Sequence, residues 1–143
     1  YYLNQCLYHY YYHPDSTTSQ NNNLRQLDRL SVELLKIEEL QKRQLFEPYH
    51  MQIEYDFLKL FYFNTMDLLF AQFQEFPTDI FPYMKETIST IFPKYLSNPF
   101  LRNACSQNPY YHFFLELLQK DINDHELTLL GETYRKNFNI SLS

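Results

Sequence analysis

Glycine occurs once in this 143-residue chain, at Gly131. Glycine is the residue that enters left-handed backbone conformations without steric penalty, and tight hairpins, phosphate-cradling loops and many helix ends rely on it. A chain with one glycine has neither a P-loop nor a dinucleotide-binding fingerprint, since both need several. It is also poorly equipped for the many turns of an all-β fold. Helices joined at prolines and asparagines are the architecture left open.

Periodicity points the same way. Leu27, Leu30, Leu34 and Ile37 recur at helical spacing, widened by Leu35 and Leu40, while charged residues such as Asp28, Glu33, Lys36 and Glu39 fill the other positions. Asn23 and Gln26 are spaced for a reciprocal cap, so an amphipathic helix is predicted over about 24–46, ending before Pro48. A second helix is predicted over about 49–74, stopped by Pro77. It is apolar on nearly all sides, which places it centrally with neighbours on more than one face. Its most apolar part, Phe57 to Phe73, carries Lys59, Asn64, Asp67 and Gln72. A membrane-spanning helix wants about 20 predominantly apolar residues, so this segment reads as a core helix and no membrane span is expected.

Beyond it, Asn98-Pro99 and Asn108-Pro109 read as helix starts, because proline suits the first turn and asparagine caps it. Helices are predicted at about 79–92, 99–106, 109–120 and 124–138, the last opened by a capping box of Asn123 and Glu126. Near the start, Leu3, Cys6, Leu7 and Tyr10 share one helix face within residues 1–13, and a polar run over 14–23 separates that segment from the rest. No fixed repeat period is present. The expected fold class is all-α over a single domain, 1–143: an irregular helical bundle, or a short α-solenoid-like piece, of six or seven helices with no sheet.

Net charge is −5. An acidic chain without a basic cluster lacks the electrostatic footprint of a nucleic-acid binder, so nucleic acid is disfavoured as a partner. The two cysteines, Cys6 and Cys105, form no disulfide framework, and sparse cysteine suits a reducing compartment. With a first residue of Tyr1, the expectation is part of a larger intracellular protein, cytoplasmic or nuclear.

Several residue groups invite a chemical reading. Cys6, His9 and His13 share a predicted helix face, and Cys105 would complete four zinc-type ligands, but ligand identity and count alone do not make a site. His50 with Glu54 and His112 with Glu116 form two H-x-x-x-E pairs, a spacing unlike the Glu-x-x-His of di-iron bundles. The run Asp121 to Glu126 lacks the glycine of a calcium loop and reads as a helix junction. No serine or cysteine has a neighbouring base in sequence. The chain is therefore read as non-catalytic, with no cofactor and no metal.

What is left over is aromatic: 13 Phe, 14 Tyr and no Trp. Tyr1, Tyr2, Tyr8, Tyr10, Tyr11 and Tyr12 cannot share one helix face, because consecutive residues turn by roughly 100°. Tyrosine supplies large contact area with a polar tip and is enriched at binding hot spots. The expected function is a protein–protein interaction module. Tyr1, Tyr2, Tyr8, Tyr11 and Tyr12, with Leu27, Leu30, Leu34 and Ile37 of the amphipathic helix, are the candidate contacts for another protein chain, in a homo- or hetero-oligomer. The alternative is a domain for a small apolar or lipid-like ligand, held in a closed internal cavity.

Overall fold

Asparagines start the C-terminal helices as their spacing predicts. In the computed structural model, which describes residues 27–142, Asn98 Oδ1 accepts from the amides of Phe100 (2.9 Å) and Leu101 (3.3 Å) at the head of helix α5, Pro99–Gln107. Asn108 Oδ1 does the same for Tyr110 and Tyr111 at the head of α6, Pro109–Leu118. Asn123 and Glu126 close the reciprocal capping box of α7, Asp124–Phe138, at 2.9 and 3.0 Å. Each cap satisfies amides that the first turn of a helix leaves without partners.

The earlier elements are α1 (Asp28–Lys42), α2 (His50–Phe57), α3 (Asn64–Gln72) and α4 (Ile80–Ile91). The first ends short of the predicted residue 46. Gln44 turns left-handed (φ 59°), and its amide and that of Leu45 reach back to the carbonyls of Gln41 and Leu40, closing the helix as a glycine ordinarily would. Asn139 (φ 52°) closes α7 in the same way, with Ile140 N–H on Arg135 O at 3.0 Å, and Asp79 (φ 64°) precedes α4. The chain thus makes its left-handed positions without glycine. Among the described residues the fold is all-helical, with no strand, and no helix is long and apolar enough to cross a membrane. The segment 1–13, the polar run 14–23 and the cap at Asn23 lie outside the described residues.

Helices α2 and α3 form one continuous rod through a π-helical segment, Leu58–Phe63. A π turn widens the helix and rotates the residues after it relative to those before. Leu58, Phe61, Tyr62 and Phe63 are all fully buried here, followed by Met66, Leu69 and Phe70. Neighbours surround the rod: α1 and α4 pack on the π segment, α5 on α2 and α7 on α3, while α6 packs on α5. That is the arrangement an all-round apolar helix requires.

Two large buried polar side chains are matched by backbone carbonyls. Tyr62 OH donates to Phe114 O at 2.8 Å. Arg135, buried on α7, donates through Nη1 to Phe70 O (2.8 Å) and Phe73 O (2.7 Å), so a cation sits on the last carbonyls of α3, where the helix end is partially negative. Gly131 lies one turn before Arg135. A Cβ there would stand 3.3 Å from Arg135 Nη1 and 3.4 Å from the Phe70 ring. The single glycine serves close approach of α7 to α3, not a turn.

Candidate functional site

A cluster of aromatic side chains reaches the surface where α6 meets α7. The Asn108 cap fixes the first turn of α6, so Tyr110 and Phe113 project from one face at i, i+3 spacing. Opposite them, Leu130, Tyr134 and Phe138 form an i, i+4, i+8 stripe on α7. Together with Pro109 they line an open groove of about 270 Å³ whose polar contributors, Thr133 and Asn137, are uncharged.

Ring geometry makes the groove a built surface. Tyr110 meets Phe138 edge-on at 5.0 Å and Tyr134 at 6.2 Å, and Tyr134 lies 4.8 Å from Phe138. These are favourable aromatic separations. Beneath, Tyr134 continues into the core through Phe70 and Phe114. Its hydroxyl donates to Asp67 on α3, and burial, followed by that hydrogen bond, holds the phenol well above its ordinary range. Tyr134 is thereby pinned to α3, while Tyr110 (39% exposed) and Phe138 (40% exposed) form the rims.

The contacts predicted from sequence that lie among the described residues fall elsewhere. Tyr1, Tyr2, Tyr8, Tyr11 and Tyr12 lie outside the described residues. Leu30 and Ile37 are buried in the core, and Leu27 and Leu34 are half-buried against it. The stripe of α1 is occupied within the fold, and the apolar side chains that α1 leaves outward are Val32 and Leu35. The groove residues were readable as a 130, 134, 138 stripe, but only the packing of α7 beside α6 shows that this stripe stays open at its far end.

The candidate reactive groups among the described residues do not converge. His112 and Glu116 approach to 3.6 Å on an exposed face. His50 Nδ1 lies 3.2 Å from Glu47 O, whereas Glu54 turns inward to Asn98. No three His, Cys, Asp or Glu side chains among the described residues are grouped to hold a metal ion. Cys6, His9 and His13 lie outside the described residues. Cys105 is a buried free thiol whose pKa is pushed up by burial, opposite to what a thiolate nucleophile needs.

No family model matches the chain, and no curated protein or solved structure matches it.

Proposed function

We propose that the chain is a non-catalytic helical interaction module that receives a short apolar segment of another protein in the α6/α7 groove. One observation carries this reading. Tyr110, Phe113, Leu130, Tyr134 and Phe138 form a contiguous, carbon-lined and uncharged groove, and large aromatic residues around a pocket are the composition of binding hot spots. Its chemistry selects the occupant: a segment presenting one or two large apolar side chains and no charge at the contact. At about 270 Å³ and open to solvent, the groove is below the roughly 300–1,000 Å³ that encloses a drug-sized ligand, which favours a protein anchor over a free apolar molecule. The N-terminal tyrosines are a second candidate contact. Assignment to an intracellular compartment, cytoplasmic or nuclear, rests on the sparse cysteines and the free thiol of Cys105.

Selection of short peptides from a random display library on the folded chain tests the proposal. The expected binders carry paired apolar anchors and lose about 30-fold in affinity on Phe138→Asp, the size of a hot-spot loss. Binders indifferent to Phe138→Asp, or a selection that yields none, would sink it.

A further inference from the structure

A second cleft lies between the start of α2 and the α4–α5 connection. It is open, of about 330 Å³, and walled by the rings of Phe46 and Phe92, which stack at 5.9 Å and 16°. Glu54 lines it and is only 9% exposed. Its Oε1 accepts from Asn98 Nδ2 at 2.8 Å. The ion pairs among the described residues are Lys36–Glu33, Arg43–Glu39 and His112–Glu116. No cation among those residues therefore stands within ion-pairing distance of Glu54, although Lys94 and His50 also line the cleft.

That is an unusual state for a buried carboxylate. An ionised carboxylate accepts at about four lone-pair positions, and a buried charge ordinarily has an opposite charge beside it. Arg135, the buried cation, is answered by two helix-end carbonyls. Glu54 has one amide donor and a cleft. Glu47 and His50 also line the cleft, but no three His, Cys, Asp or Glu side chains among the described residues are grouped to hold a metal ion. A guanidinium wants both carboxylate oxygens in a planar fork, whereas an ammonium needs only one, and Oε1 already carries the Asn98 bond.

We propose that this cleft binds a small primary amine carried on an aryl or branched apolar body. The ammonium sits on Glu54, and the apolar body lies against the Phe46 and Phe92 wall of the cleft. The inference is independent of the α6/α7 groove.

Phenethylamine, phenethyl alcohol and phenylacetate share one skeleton and differ in charge, and each is titrated into the full chain at neutral pH with NMR detection. A ligand of this size is expected to bind with a dissociation constant on the order of 1 mM. The amine should shift resonances of Phe46, Phe92 and Met51, the alcohol should bind at least about tenfold more weakly, and the acetate should not bind. Glu54→Gln keeps an oxygen for Asn98 and should reduce the amine to the level of the alcohol. Met51→Trp, on a residue 45% exposed at the cleft, should block the amine without altering the Glu54–Asn98 bond. Equal binding of amine and alcohol to the unmodified chain, undiminished amine binding to Glu54→Gln or Met51→Trp, or no cleft shifts up to roughly 10 mM would each overturn the proposal. If Glu54→Gln does not fold, the amine-to-alcohol ratio and Met51→Trp still decide it.

Discussion

Asn98 joins two helices by using its whole side-chain amide. Its Oδ1 caps α5 through the amides of Phe100 and Leu101, and its Nδ2 donates to Met51 O (2.7 Å) and Glu54 Oε1 (2.8 Å) on α2. The residue is 2% exposed, so water cannot replace those bonds. Asn98→Ala removes the cap, costing about 1 kcal/mol, and the donor to a buried carboxylate, costing roughly 1.5–3 kcal/mol. The sum is about 2.5–4 kcal/mol, against a total stability of roughly 5–15 kcal/mol for a domain. Asn98→Ser restores the cap alone and should cost about 2 kcal/mol. Asn98→Asp also keeps a capping oxygen but sets a second carboxylate against Glu54, and like charges in one site are repelled. At neutral pH the expected order of loss is Ser, then Ala, then Asp. Urea unfolding at constant m-value measures all three. An Asp variant as stable as Ser at neutral pH would refute the placement of the Glu54 side chain against Asn98.

Two further outcomes follow from the same packing. Gly131→Ala gains helix propensity of about 1 kcal/mol but drives a methyl against Arg135 Nη1 and the Phe70 ring; since both are buried and Arg135 is held by two carbonyls, overpacking should win and leave the variant about 1 kcal/mol less stable by thermal unfolding. A variant more stable than the parent would show that α7 can move off α3. Burial raises the phenol of Tyr62 well above its ordinary range, and Tyr134 is raised by burial and its bond to Asp67. Because the folded values are the higher ones, the stabilisation is complete below about pH 10, where unfolded tyrosine ionises, and is lost as pH rises beyond it. For fully buried Tyr62 the slope approaches about 1.4 kcal/mol per pH unit, with a smaller part from half-buried Tyr134. Phenolate absorbance should therefore rise in a cooperative step with unfolding; Tyr62 ionising while the fold persists would contradict its burial.

What the sequence disclosed and what it withheld divide along the range of the interaction. The Asn98, Asn108 and Asn123 caps were legible because each acts within three residues of itself, and the central rod because its apolar residues go all the way round. The end of α1 was misplaced because a left-handed Gln44 is an uncommon choice that no local pattern signals. The leucine stripe of α1 was legible as a buried face, but a stripe does not say whether its cover comes from the same chain. Leu30 and Ile37 are covered by the core. The groove at Tyr110 and Phe138 depends on how α7 lies across α3 and beside α6, which is set by contacts some 60 residues apart, such as Arg135 with Phe70.

Gly131 is where these levels meet. The scarcity of glycine first argued for helices because it denied the chain its usual turns. Among the described residues, left-handed Gln44, Asp79 and Asn139 show the turns being made regardless, so the one glycine was free to act elsewhere. It sits where α7 presses on α3, and the approach it permits brings Arg135 onto the last carbonyls of α3. Tyr134, on the same helix, is bonded to Asp67 by that docking and forms the floor of the groove. A side chain at position 131 would therefore act on the groove through the seating of α7, although Gly131 does not line it.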